Sequence, residues 1–129
     1  MSAPFTLKNL AEVDDSAAKF GYAEVQEARF AKDELEAEQT GVSYQRLKPG
    51  KRQAFAHRHE RAEEVYVVLR GSGQAKLDDD IVEVRTLDAI RVAPGVTRAF
   101  QAGPDGLELL AVGPRRDGDG DVLPGWWSD

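Results

Sequence analysis

From residue 22 onward, hydrophobic and polar residues alternate in short runs that turn residues separate. A period of two is typical of β-strands, whose successive side chains point to opposite faces. Glycine, proline and aspartate occupy the breaks between the runs and predict turns there. Eight or nine short strands at this spacing indicate an all-β sandwich or barrel and not a parallel α/β sheet. The predicted strands are 24–31, 42–47, 54–59, 64–70, 73–77, 81–85, 89–92, 97–101 and 107–112.

The two ends of the chain lack this alternation. Scattered apolar positions near the N-terminus predict an arm that lies on the body, with a short helix at 14–19. The segment 32–39 is the one clear helical interruption, of one or two turns. Trp126 and Trp127 follow a Gly/Asp-rich loop and are expected to anchor the C-terminus against the barrel or across a dimer. The predicted parts are an N-terminal arm at 1–21, a barrel at 22–113 and a C-terminal tail at 114–129 that packs on the barrel.

The central predicted strand is apolar on both faces. Val65, Val67 and Leu69 share one parity, while Tyr66 and Val68 share the other. A strand with one face in water alternates more clearly between apolar and polar residues. The second apolar face therefore predicts a homodimer that packs sheet to sheet.

Composition and charge narrow the class of protein. At 129 residues the chain is expected to form one domain with its own core. The absence of cysteine excludes disulfides, thiolate ligands and cysteine nucleophiles, and it fits a reducing compartment. A net charge of -6 argues against binding to nucleic acid or to anionic membranes. Without a membrane-spanning run or a secretory signal, the expectation is a cytoplasmic protein.

The candidate chemistry lies in the stretch that contains both histidines of the chain. His57 and His59 are two residues apart on a predicted strand, so both rings project from the same face. Glu64 opens the next strand after a polar turn. Two imidazoles and one carboxylate suit a first-row divalent ion and leave coordination positions open. The alternative is that these are polar residues of the barrel interior that hydrogen-bond to one another.

Other motifs are excluded. The acidic run 117–121 resembles the start of a calcium loop, but Val122 and Ser128 occupy the positions that need glycine and glutamate. No glycine pair opens a helix, so no phosphate loop is predicted. If both histidines are ligands, no base remains for a serine triad, and catalytic residues are not assigned.

This stretch resembles the first of two short motifs of the cupin superfamily. The family motif consists of glycine, a five-residue gap, His-x-His, three or four residues, glutamate, six residues and glycine. The chain matches it throughout except that the first gap is six residues long, with the motif at Gly50, His57, His59, Glu64 and Gly71. The interval to Gly71 selects Glu64 over its neighbour Glu63.

The second motif is degenerate. Residues 87–102 occupy its place and keep Asp88 and Gly95. The glycine, proline, histidine and asparagine of the family pattern are replaced by Leu87, Ala93, Arg98 and Ala102.

The resemblance covers about 55 residues and implies a double-stranded β-helix (jelly-roll) barrel with a short N-terminal arm and little helix. It leaves the activity open, because cupins include dioxygenases, isomerases, decarboxylases, epimerases, storage proteins and sensors. If the chain is an enzyme, a metal-dependent dioxygenase or isomerase is the type that the resemblance implies.

Arg98 is the departure from the family pattern that matters most for the chemistry. The family has its fourth metal ligand at this position, and a guanidinium has no acceptor atom that could coordinate a metal. Three arrangements remain open. Arg98 turns outward and leaves a three-ligand metal, or it stays inward and binds an anionic substrate beside the metal. In the third arrangement it pairs with Glu64 and replaces the metal.

Aromatic side chains complete the candidate site. Phe55, Tyr66 and Phe100 share parity with His57 or Arg98 and are expected either to line the pocket or to belong to the core, as is Tyr44. The leading hypothesis is a cupin that holds one divalent ion (Fe, Mn, Ni or Zn) on His57, His59 and Glu64 and binds a small polar or anionic molecule. The alternative is a metal-free binding or sensor module with an Arg98–Glu64 pair.

Overall fold

The computed structural model describes residues 4–114 and 118–129, and these form eight antiparallel strands with very little helix. A 3-10 turn at Leu10–Glu12 and a short helix, α1, at Ser16–Lys19 precede the strands. The all-β prediction is confirmed. The strands are β1 Gln26–Phe30, β2 Thr40–Leu47, β3 Phe55–His59, β4 Glu64–Leu77, β5 Asp80–Arg85, β6 Ala89–Val92, β7 Arg98–Pro114 and β8 Gly120–Pro124.

The strands form one sheet that curls around a shared core. One path through the sheet runs β1-β2-β7-β3-β8, and β4 pairs with β5, β6 and β7. The long strands β4 and β7 pair along most of their length, from Val65↔Val112 to Leu77↔Arg98. Their inward side chains supply most of the buried core, which comprises Leu47, Tyr66, Val68, Ala75, Val84, Val92, Phe100, Ala102, Leu107, Leu109 and Ala111.

Four predicted strands turn out to be two long ones. Runs 64–70 and 73–77 are joined in β4, and runs 97–101 and 107–112 are joined in β7. Sequence analysis interpreted the intervening glycines as turns, whereas they lie inside strands where the β4–β7 register shifts. Gly71 has a φ of 84°, and a Cβ there would overlap the carbonyl oxygen of Gly106. Glycine is therefore required because the backbones approach closely at a bulge.

A side chain at Gly73 should destabilise the fold strongly, because a Cβ there would overlap the carbonyl oxygen of Gln101 on β7. We expect Gly73→Ala to lower the free energy of unfolding by about 2–3 kcal/mol, as overpacking against backbone does. Gly50→Ala is the control, since Gly50 has a φ of 72° but open space around it, and should lose only about 1 kcal/mol. Urea denaturation of both variants measures the difference, and equal losses would contradict the close approach.

The ends of the chain pack on the barrel. The predicted helix at 14–19 is present as α1, and Asp15 caps it by accepting hydrogen bonds from Ala17 N and Ala18 N.

The segment 32–39 forms consecutive turns and no helix. The predicted C-terminal loop contains β8, which pairs with β3 in the register Ala56↔Leu123. The predicted arm and tail include residues 1–3 and 115–117, which lie outside the described residues.

The two tryptophans lie against basic side chains of the barrel. Lys76 Nζ is 4.5 Å from the ring centroid of Trp126, and Arg52 Cζ is 4.5 Å from that of Trp127. Arg52 also donates from Nη1 to the carbonyl oxygen of Trp127 at 2.6 Å. These contacts hold the C-terminus on the sheet.

Candidate metal centre

Three ligand-type side chains converge at the start of β4. His57 and His59 project from β3, and Glu64 is the first residue of β4. Glu64 Oε1 lies 3.4 Å from His57 Nε2 and 3.7 Å from His59 Nε2. One donor atom from each of the three residues falls within 4.8 Å of the others. The structure therefore brings together the three residues that the sequence selected.

Tyr66 lies behind this cluster with its hydroxyl aimed at it. The hydroxyl donates to Glu64 Oε1 and lies 3.0 Å from His57 Nε2. Burial and the charge of Glu64 raise the pKa of Tyr66 well above its ordinary value, so the hydroxyl stays protonated. Tyr66 thus acts as a hydrogen-bond donor to the carboxylate.

Arg98 is directed inward. It lies opposite His57 in the β3–β7 register, and its side chain is fully buried. Nη1 donates to the carbonyl oxygen of Val96 at 2.8 Å, and Nη2 lies 3.6 Å from Glu64 Oε1. Nε and Nη2 have no hydrogen-bond partner among the described residues. The outward arrangement is therefore wrong, and Glu64 is the carboxylate that faces the buried guanidinium.

The protonation states suit a metal site. Burial acts to raise the pKa of Glu64, but its hydrogen-bonding contacts with His57 and Tyr66, together with the charge of Arg98, lower the pKa to about 2. Burial lowers the pKa of His59 and favours its neutral form. An ionised carboxylate and neutral imidazoles are the forms that bind a divalent ion.

Asp119, at the entry to β8, is a further member of the site that sequence analysis missed. Its side chain is buried, and Oδ2 lies 3.6 Å from His59 Nδ1. It accepts hydrogen bonds from the backbone N–H groups of Arg61 at 2.8 Å and Ala62 at 3.0 Å. Burial acts to raise the pKa of Asp119, but these hydrogen bonds outweigh it and lower the pKa.

The position of Asp119 favours one tautomer of His59. A carboxylate facing Nδ1 favours a proton there and leaves the lone pair on Nε2, which faces Glu64. Sequence analysis considered the run 117–121 only as a calcium loop. No local signal identifies Asp119, because the β3–β8 pairing brings it to His59.

We expect Asp119→Asn to weaken metal binding about tenfold, because an amide orients the ligand histidine less strongly than a carboxylate. Isothermal titration with Zn²⁺ measures the change. Asp79→Asn is the control, since Asp79 is exposed and does not line the cavity. Unchanged affinity in Asp119→Asn would show that the carboxylate does not orient the ring.

A cavity of about 760 Å³ opens beside the cluster. His57, His59, Glu64 and the predicted Phe55 line it. The other predicted ligand-binding residues lie outside its lining. Three of them are fully buried behind the cavity, namely Arg98, Tyr66 and Phe100. The ring centroids of Tyr66 and Phe100 are 4.8 Å apart. The Tyr44 hydroxyl donates to Glu108 Oε1 at 2.5 Å.

The antiparallel strands form a barrel in which two histidines on β3 face a carboxylate on β4. The molecule is therefore a small β-barrel protein of the class that carries a site among its inward side chains. The chain belongs to the cupin domain family, whose model matches residues 43–113. The first-motif resemblance is thereby confirmed.

Solved structures share the fold. A cupin protein from Bacteroides fragilis aligns with a TM-score of 0.70 and 23% identity, over 98% of this chain and 93% of that one. A polyketide cyclase from Streptomyces resistomycificus aligns with a TM-score of 0.73 and 22% identity, over 96% and 87% of the two chains. Oxalate decarboxylase from Bacillus subtilis aligns with a TM-score of 0.73 and 23% identity, over 92% of this chain and 33% of that one.

No curated protein sequence matches this chain. Within residues 4–114 and 118–129, no helix has the length and apolar character needed to cross a membrane.

Proposed function

We propose that the chain binds one divalent first-row ion (Fe, Mn, Ni or Zn) through His57, His59 and Glu64, and that a small molecule occupies the adjoining cavity. The observation that carries the proposal is the convergence of the three donor atoms. Nitrogen and carboxylate oxygen are suitable ligands for these ions. The contact of His59 with Asp119 supports it further, because metal-ligating histidines are typically held by such a second carboxylate.

If the protein is an enzyme, the ion would supply Lewis acidity or redox chemistry at its open coordination positions, as a metal-dependent dioxygenase or isomerase requires. The protein's own groups prepare the site. Glu64 supplies an oxygen that is ionised at neutral pH, Tyr66 holds it with a hydrogen bond, and Asp119 faces His59.

A second candidate is a metal-free binding or sensor module. The 3.6 Å approach of Arg98 Nη2 to Glu64 Oε1 favours it, because the guanidinium supplies the positive charge that a metal would otherwise provide. The further expectation that Arg98 binds an anionic substrate lacks support, since Arg98 is buried and does not line the cavity.

Elemental analysis of the purified protein separates the two candidates. The metal hypothesis predicts close to one equivalent of a single divalent ion, and loss of that ion in His57→Ala. The folded state of the variant is checked by circular dichroism. Substoichiometric metal in both proteins, before and after incubation with each of the four ions, would support the metal-free module.

We also infer a homodimer that packs through the outer face of β4. Val65 and Val67 are partly buried there and Leu69 is 40% exposed, whereas Tyr66 and Val68 on the inner face are buried. Light scattering should give twice the mass of 14.2 kDa. A monomer at micromolar concentration would contradict this inference.

A further inference from the structure

Among the described residues, several apolar side chains that line the cavity are largely exposed and form its mouth. Phe20, Phe30 and Val122 line the cavity and are 77%, 49% and 59% exposed. Tyr22 is 36% exposed and contacts Phe55 edge to face, with ring centroids 5.6 Å apart. Exposed apolar groups that cluster around one opening are typical of a binding site for an apolar molecule.

The chain segment that carries Phe20 and Tyr22 is fixed on the barrel. Asp15 Oδ1 accepts hydrogen bonds from Ala17 N in α1 and from Ala28 N in β1, each at 3.0 Å. Arg29 donates from Nη1 to the carbonyl oxygen of Val13. These bonds tie the arm to β1, so the aromatic mouth is already formed before a ligand enters.

One wall of the cavity, formed by Ser43, Gln45 and Gln53, is polar but uncharged. Gln53 donates from Nε2 to Gln45 Oε1 at 3.1 Å, and Gln45 donates from Nε2 to Ser43 Oγ at 3.1 Å. Gln53 Oε1 is already occupied by the backbone N–H of Phe100. These bonds engage one N–H and the oxygen of each amide, so this wall offers a ligand hydrogen-bonding groups but no charge.

Charge on the described lining residues does not favour an anion. Lys32 lines the cavity together with the acidic side chains of Glu64, Asp119 and Asp121. Arg98, the cation that lies near the cluster, is sealed behind the cavity wall. The polar end of the cavity is therefore the His57–His59–Glu64 cluster.

We propose that the cavity takes a flat, largely apolar ring compound with one hydroxyl or carbonyl oxygen directed at the histidine–glutamate cluster. The proposal rests on the proposed function for the role of that oxygen, which would bind at the open positions of the metal. The aromatic mouth holds the ring. A volume of about 760 Å³ exceeds the needs of a small dicarboxylate and falls within the usual range for small-molecule pockets.

The test is binding of 2-naphthol, measured by fluorescence titration with and without one equivalent of Zn²⁺. Phe20→Ser should weaken binding at least tenfold, because it removes an aromatic face from the mouth. Phe5→Ser is the matched control: Phe5 is 79% exposed, does not line this cavity and should leave the affinity unchanged. Oxalate should bind at least tenfold more weakly than 2-naphthol.

The outcomes separate this proposal from the metal site. Zn²⁺ bound in a 1:1 ratio with no 2-naphthol binding would overturn the ring-compound proposal and leave the metal site intact. Binding of 2-naphthol that responds to Phe20→Ser in a protein that binds no metal would support the aromatic mouth and overturn the metal site. Oxalate binding as tight as that of 2-naphthol, or equal effects of Phe20→Ser and Phe5→Ser, would overturn the proposed ligand class.

Discussion

Replacing Glu64 with leucine should lower the free energy of unfolding of the metal-free protein by about 3–5 kcal/mol. Arg98 is fully buried, its Nε and Nη2 have no hydrogen-bond partner among the described residues, and Glu64 is the carboxylate 3.6 Å away. Removing one member of a buried charge pair leaves the other uncompensated, which is far more costly than losing a surface pair. Urea denaturation in the presence of a chelator measures the loss.

Two further variants identify the cause. Glu63→Leu is the matched control, because Glu63 is 56% exposed and pairs with the exposed Arg91. The loss in this variant should stay within about 0.5 kcal/mol. Glu64→Leu combined with Arg98→Met removes both charges, and stability should return to near the wild-type value. A double variant as unstable as Glu64→Leu alone would show that Glu64 does not stabilise the fold by compensating Arg98.

Replacing Arg98 with methionine should tighten metal binding about 100-fold. A dication bound by Glu64 would lie close to the guanidinium, and such like charges repel by several kcal/mol at an effective dielectric near 20. Removing even 3 kcal/mol of that repulsion corresponds to roughly two orders of magnitude in affinity. Methionine keeps a long apolar side chain in the buried position.

Competition with a chelator of known affinity measures this change at neutral pH. Arg91→Met is the control, since Arg91 is 64% exposed and pairs with Glu63 outside the site. Weaker metal binding in Arg98→Met would contradict the repulsion and would indicate that Arg98 holds Glu64 in a binding-competent position.

The alternating pattern was sufficient to predict an all-β sandwich or barrel, because buried and less buried positions alternate along long strands such as β4. The jelly-roll barrel was implied by the resemblance to the first cupin motif. The same parity rule placed His57 and His59 on one face, and the interval to Gly71 selected Glu64. Long strands were harder to recognise, because Gly71 and Gly73 in β4 have the composition of a turn but lie at bulges. Their role depends on how closely β7 approaches, which local sequence does not specify.

The positions of Asp119 and Arg98 in the site could not be predicted, because both depend on how the strands pair. Asp119 reaches His59 only because β8 pairs with β3, and β8 lies in a Gly/Asp-rich segment with weak strand propensity. Arginine is rarely fully buried, so its residue type alone could not place Arg98 inside the barrel. Its position opposite His57 follows from the β3–β7 register.

The most direct test of the metal site is a long-range ¹H–¹⁵N spectrum of the imidazole rings during titration with Zn²⁺. The chain has two histidines, so each ring gives its own resonances. We expect the Nε2 resonances of both rings to shift together and to saturate at one equivalent of Zn²⁺, while Nδ1 of His59 stays protonated beside Asp119. Rings that do not respond to Zn²⁺, or a response from only one of them, would contradict a shared site.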